Sequence, residues 1–183
     1  MSAPVIAPVT LASAAPKAAA TLNAVKAKIG MIPNLYATLA QSPAALDALL
    51  AINTAVSEGT LSGAEREIIS LATAQVNGCQ YCLSAHTLMG KGAGLSAEQI
   101  LKARSGSGNS ARQAAIASFA QSLLTHRGHV AEAEVASARD AGLSDGELME
   151  IVVGVAANTL TNFANNLAKT TLDFPAVALQ LPA

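Results

Sequence analysis

Apolar residues recur along this chain at spacings of three and four, the period of a helix that buries one face. Ile68, Leu71 and Ala72 make such a stripe, and helical spacing fills almost every other segment. No stretch alternates apolar and polar positions between hairpin turns, so strands are not expected. Helix starts are also written locally. In "LSGAE" (Leu61 to Glu65), "LSAEQ" (Leu95 to Gln99) and "LSDGE" (Leu143 to Glu147), a serine precedes Glu or Gln by three residues, the reciprocal cap of a helix start. Ser42-Pro43 adds another start, with serine as cap and proline in the first helical position. Gly59, Gly78, Gly92, Gly94, Gly128 and Gly142 stand where helices should stop. The pattern predicts helices over roughly 14–28, 43–57, 63–76, 79–90, 97–104, 110–127, 131–141 and 145–169. The expected class is all-α.

"RSGSGNS" (Arg104 to Ser110) reads as a flexible linker near 104–110 that divides one helical domain into two portions. A weak internal repeat spans it. "LSGAEREIISLATAQVNGCQYC" lies over "LSDGELMEIVVGVAANTLTNFA" with apolar positions in phase, which places Cys79 on Thr161, Cys82 on Ala164, His86 on Ala168 and Glu67 on Met149. Shared helix-start grammar produces the same likeness without duplication. On the duplication reading, the first copy carries chemistry and the second is scaffold. Residues 1–28 are expected to be an Ala/Pro-rich leader and a first helix, 29–175 the helical domain, and 176–183 a tail. "ASA" near the start resembles a signal-peptidase site, but no basic segment precedes it and Pro4 and Pro8 interrupt the apolar run. A loosely ordered leader and a cytoplasmic location are therefore expected.

Composition changes this picture in two ways. Half of the 183 residues are hydrophobic, while 13% are charged and 3% aromatic. Little polar material is left to cover a monomer, so a homo-oligomer joined through Ala-rich helix faces is expected. The formal charge of -1 lacks the basic face that a nucleic-acid partner requires. No apolar run reaches the length of a membrane span, and no polybasic run suggests a membrane surface.

Both cysteines lie in "GCQYCLSAH" (Gly78 to His86), together with one of three histidines. With Gly78 ending one helix and Cys79 opening the next, Cys79 and Cys82 lie about 60° apart on the helical wheel and His86 falls between them. A slight tightening of the first turn would join the two sulfurs. In a reducing compartment such a pair suggests chemistry or metal rather than a structural staple. A helix N-terminus lowers a thiol pKa from about 8.5 toward roughly 3.5–7.5, and an imidazole can carry the proton. Glu67 lies within the preceding helix. A tight turn at Asn77-Gly78 would fold that helix back and bring its carboxylate to the other ring nitrogen of His86.

Blander readings stand beside this one. The cysteines could be buried core residues, and Glu67 a surface carboxylate at the edge of its stripe. Glu65 is explained by capping, and Leu88 and Met89 as core. Zinc held by Cys79, Cys82, His126 and His129 is the sharper rival, although "THRGH" reads more simply as a helix end. Tyr81 points away from the cysteine face, toward an entrance or a subunit contact.

"EIISLATAQVNGCQYCLSAH" fits the pattern E-x11-C-x2-C-x3-H and resembles the AhpD-like alkylhydroperoxidases of the carboxymuconolactone decarboxylase superfamily. "GMIPNLYATLAQSPAAL" upstream and "DFP" (Asp173 to Pro175) downstream are similar to its peroxidase-related branch, so the likeness runs over roughly 29–175. The resemblance implies a multi-helical fold assembled as a trimer or hexamer. It implies reduction of hydroperoxides without a metal or cofactor, recharged by an external dithiol of lipoyl or thioredoxin type. Carried over, Cys82 would attack the peroxide, Cys79 would resolve the sulfenic acid and receive the reductant, and His86 with Glu67 would relay protons. One position departs: the best-known members carry histidine between the cysteines, where this chain has Tyr81. A phenol of pKa about 10 is no base at neutral pH. A protein-disulfide oxidoreductase and a non-enzymatic redox-sensing or zinc-stabilised oligomer are the alternatives.

Overall fold

The computed structural model describes residues 3–182, and among them the chain forms nine α-helices and no strand. These are α1 (Pro16–Ile29), α2 (Asn34–Leu39), α3 (Pro43–Ser57), α4 (Gly63–Val76), α5 (Gln80–Gly92), α6 (Ala97–Arg104), α7 (Ala111–Thr125), α8 (Glu132–Asp140) and α9 (Asp145–Ala168). Ser62 with Glu65, Ser96 with Gln99 and Ser144 with Glu147 each close a capping box, and Ser42 caps α3 ahead of Pro43. Eight helices match the expected segments. The ninth, α2, is an addition. It has no cap of its own beyond Pro33, and its first N–H group, on Asn34, donates instead to Asp173 Oδ2 at 2.7 Å.

At the centre stands α4, against which α5, α6, α7 and α9 pack. Its residues from Ile68 to Ala74 are all buried, Ser70 and Thr73 included. The single stripe expected from the sequence is thus only part of its contact surface, because neighbours surround the helix rather than flank it. The long α9 approaches closely at Gly154, where an added Cβ would sit 3.2 Å from Ile69 Cγ2. A smaller apolar cluster of Ala18, Leu22, Ala40 and Leu46 joins α1 to the α2–α3 corner.

The two ends of the chain are tied to this frame. The leader, expected to be loose, is pinned by Val5 N–H to the Ala168 carbonyl and by Val9 N–H to that of Ala37. Beyond α9 the chain runs without regular structure as a strap over α4, α5 and α6. Gln75 and Gln80 donate to the carbonyls of Leu179 and Val177, and buried Arg104 donates to those of Ala178 and Leu179. Residues 105–110 form a compact turn in which the Ser107 N–H returns to the Lys102 carbonyl.

A single guanidinium joins three helices. Arg112 on α7 donates to Glu65 Oε1 at 2.6 Å, to Glu147 and to the Gly142 carbonyl. Glu65 and Glu147 are therefore both cap residues and bridge partners. The Arg112 guanidinium, helped by the Ser144 N–H, holds the Glu147 pKa down at about 2. A carboxylate depressed on folding stabilises the fold above its unfolded value near ~4.3 and loses that contribution as pH falls through the folded one. Acid titration should thus erode stability between about pH 4.5 and pH 2. Arg112→Ala should cost about 1–3 kcal/mol at neutral pH, between exposed and buried ion pairs, and should flatten that acid slope. Urea melts across this pH range check both effects.

Candidate functional site

The turn between α4 and α5 is built from backbone geometry that only a few residues permit. Asn77 ends α4, and Gly78 takes a left-handed φ of 62°. The Cys79 N–H reaches back to the Ala74 carbonyl at 3.0 Å and the Gly78 N–H to that of Gln75 at 3.2 Å, the paired bonds of a Schellman end. Cys79 is simultaneously the N-cap of α5, and its Sγ accepts the Cys82 N–H at 3.2 Å. One residue thus closes one helix and opens the next, so the two cysteines face each other across a single turn. Their sulfurs are bonded, with the Cα atoms 5.3 Å apart.

Folding back at this turn lays α5 along α4. His86 Nδ1 lies 2.8 Å from Glu67 Oε2, and the two side chains are only 17% and 12% exposed. A carboxylate can only accept, so Nδ1 carries the proton and Nε2 is left as the free ring nitrogen. His86 follows Cys82 by one turn, placing their Cβ atoms roughly 5–6 Å apart. The structure therefore brings Glu67, Cys79, Cys82 and His86 together. His126 and His129 are exposed at the end of α7. Among the described residues no three His, Cys, Asp or Glu side chains gather as metal ligands would. Leu88 and Met89, expected in the core, are 50% and 51% exposed, because no other part of this chain covers that stretch of α5.

Tyr81 is buried, with 6% of its surface exposed, and lines one wall of a cleft beside the cysteine turn. Its hydroxyl donates to Asp173 Oδ2 at 2.5 Å and accepts the Leu35 N–H at 3.3 Å, while its ring stands edge-on to Phe174. Burial, reinforced by the Asp173 carboxylate, drives its pKa well above the ordinary phenol value. Tyr81 is a structural tie between the cysteine turn, α2 and the strap.

Three asparagines of α9 were not singled out in the sequence. Asn162 Oδ1 accepts from Asn77 Nδ2 at 2.9 Å, and Asn166 Nδ2 donates to the Asn77 carbonyl at 2.9 Å, clamping the turn before Cys79. Asn165, 3% exposed, donates its Nδ2 to Cys82 Sγ at 3.3 Å. A signal existed: Asn158, Asn162 and Asn165 recur at helical spacing inside α9, although asparagine is a poor helix former. Asn162 and Asn165 are buried, and buried poor formers on one face point to partners elsewhere. A cleft of about 350 Å³ opens beside this turn, between Gly78, Gln80 and Tyr81 on one side and Asn165, Lys169 and Thr170 on the other.

Fold and site together define an all-helical protein organised around a bonded cysteine pair and a buried carboxylate–imidazole couple. Residues 43–120 match the model of the carboxymuconolactone decarboxylase family. The fold is similar to that of the alkylhydroperoxidase AhpD core of an uncharacterised peroxidase-related protein from Ralstonia eutropha JMP134, with 25% identity over 94% of each chain and a TM-score of 0.84. A peroxidase-related protein from Silicibacter sp. TM1040 shares the fold at 22% identity, over 93% of this chain and 94% of that one, with a TM-score of 0.80. So does the debrominase Bmp8, solved with 2,3,4-tribromopyrrole, at 15% identity, over 92% and 91%, with a TM-score of 0.77. No curated protein matches the chain. The matched segment holds Glu67, Cys79, Cys82 and His86, and the fold around it is AhpD-like.

Proposed function

We propose that this protein is a thiol-dependent hydroperoxide reductase. The observation that carries the reading is the Glu67–His86 couple, 2.8 Å apart and one helical turn from a cysteine already bonded to its neighbour. In the reduced protein the Cys82 thiolate attacks the terminal peroxide oxygen. An S–O bond forms, the O–O bond breaks, and the leaving alkoxide takes a proton from His86. Glu67 stabilises the charged imidazole that holds this proton. The Cys79 thiol then attacks the sulfenic sulfur, and the S–O bond gives way to the S–S bond as water leaves with the thiol proton. An external dithiol slender enough to reach the buried pair, as a lipoyl arm is, restores both thiols by exchange. A cytoplasmic setting suits a disulfide that must be recycled in this way.

Burial favours this reading over exchange with other proteins' disulfides. Cys79 and Cys82 are 0% and 3% exposed, which admits a small hydroperoxide more readily than a folded partner. The test compares turnover on hydrogen and organic peroxides with turnover on a protein disulfide, each under the same dithiol. Faster reaction with peroxide is expected; the reverse order would reassign the function.

We infer also that the protein assembles with copies of itself. Met149, Val153, Leu160, Phe163 and Leu167 are exposed on α9 at spacings of three, four and seven, within a narrow arc. That arc lies opposite the buried asparagines. Phe163→Glu should reduce the mass measured by light scattering to that of a monomer, and an unchanged oligomer would place the interface elsewhere.

A further inference from the structure

Two residues that line the cleft beside the cysteine turn each carry a buried polar atom without a partner among the described residues. They are Asn165 Oδ1 and Thr170 Oγ1. Buried polar atoms left unpaired are costly in a folded protein and usually mark a missing partner. Asn165 is the more telling of the two. A disulfide sulfur has no hydrogen, so the amide must turn its N–H toward Cys82 Sγ and leave its oxygen free. One planar side chain therefore touches the reacting sulfur with a donor and presents an acceptor about 2 Å away, the amide's own width. The group that would complete it bears an O–H and lies against the sulfur.

We propose that this cleft is the hydroperoxide subsite, and that Asn165 orients the substrate by accepting its terminal O–H while donating to Cys82. The proposal rests on the hydroperoxide reductase reading and names the substrate class within it. After reduction, the same N–H meets a thiolate, and the hydrogen bond becomes charge-assisted. The peroxide oxygen held by Oδ1 is the one that Cys82 attacks. That oxygen and its proton stay on sulfur as the sulfenic acid while the alkoxide leaves. Thr170 Oγ1 donates to the second peroxide oxygen, where negative charge develops as the O–O bond breaks.

The rim defines the rest of the substrate. Lys169 contributes the only charge among the residues lining the cleft. It is fixed there by a left-handed backbone at φ 52°, where its N–H caps α9 at the Asn165 carbonyl. Gln80, Asn166 and Thr171 add uncharged polar groups to a wall that Leu172 and Tyr81 share. The subsite suits short hydroperoxides that carry an anionic group, rather than long acyl chains.

The test separates the two half-reactions by stopped flow: oxidation of the reduced protein by peroxide, and reduction of its disulfide by dithiothreitol. Asn165→Ala should slow the peroxide step at least 10-fold and the dithiothreitol step, which loses only the N–H to the leaving Cys82 sulfur, by clearly less. Thr170→Val keeps the shape while removing the hydroxyl, and should slow the peroxide step about 3- to 10-fold. Substrate choice is read with tert-butyl hydroperoxide and an analogue bearing a carboxylate on one branch. Lys169→Asn tolerates the left-handed backbone and should lower the rate ratio of the charged to the neutral peroxide at least 5-fold. Equal slowing of both half-reactions in Asn165→Ala, an unaltered Thr170→Val, or an unchanged ratio in Lys169→Asn would overturn the assignment. A wild-type protein that reduces no peroxide at all would instead overturn the parent reading.

Discussion

Cys82→Ser should abolish catalytic peroxide consumption, with a loss of at least about 10³-fold. A hydroxyl in place of the thiol has no accessible anion near neutral pH, whereas a thiol of pKa about 8.5 is already about 3% ionised and a helix N-terminus raises that fraction. The informative partner is Cys79→Ser. With the attacking sulfur intact and its resolving partner gone, one equivalent of peroxide should be consumed per chain. The sulfenic acid on Cys82 should then persist long enough to be trapped by dimedone and seen by mass spectrometry. The trap also decides between the two sulfurs. Cys79 Sγ is the one that receives the α5 backbone N–H, and Cys82 Sγ the one that receives Asn165. Dimedone on Cys79 in the Cys82→Ser protein, with turnover retained, would exchange their roles.

Glu67→Gln and His86→Gln should each lower the peroxide step by roughly 10²–10⁴, the range lost when a general acid–base or the group that orients it is removed. The amide in Glu67→Gln still reaches Nδ1, so the ring is held but its charged form is no longer stabilised. It can also offer an N–H, which would turn the imidazole to the wrong tautomer. Because the two residues act as a unit, the double variant should be little worse than either single one. Multiplying losses would mean that Glu67 and His86 contribute separately. Thermal melting guards against a trivial result, since the pair is largely buried and its disruption costs about 1–3 kcal/mol of stability.

These two experiments probe different parts of one arrangement. The cysteine substitutions ask which sulfur accepts oxygen, and the Glu67 and His86 substitutions ask who carries the proton. Neither depends on Tyr81, the residue before Cys82. Its hydroxyl is occupied by Asp173 and Leu35, and burial with the Asp173 carboxylate keeps it protonated. The proton relay proposed for this chain therefore rests on a single imidazole, His86, whose free nitrogen is Nε2.

Much of the fold was legible before any coordinates. Helices α3, α4 and α6 begin and end where serine caps, proline and periodicity place them, because each of those signals acts within one or two turns. The shared face of Cys79, Cys82 and His86 follows from helical geometry alone. The juxtaposition of Glu67 with His86 needed one further step, a tight turn, and the Asn77-Gly78 pair announced it. The overlay of the two halves reads differently in three dimensions. Where the first copy breaks at Gly78, the second runs on as the single helix α9. Its asparagines then hold the break of the first.

Tertiary structure alone decided the remainder, for a common reason. Helix α2 carries no cap in its own sequence, and its cap is Asp173, 139 positions away. Tyr81 meets that same carboxylate from a distance of 92 positions, which makes a residue of the cleft wall a buried tie as well. Asn165 reaches Cys82 across 83 positions and supplies the only side-chain hydrogen bond to that sulfur among the described residues. Periodicity and capping report what a residue does within its own helix. They carry no record of which distant side chain will fill a buried donor or acceptor, and in this protein those distant partners shape the space around the sulfur.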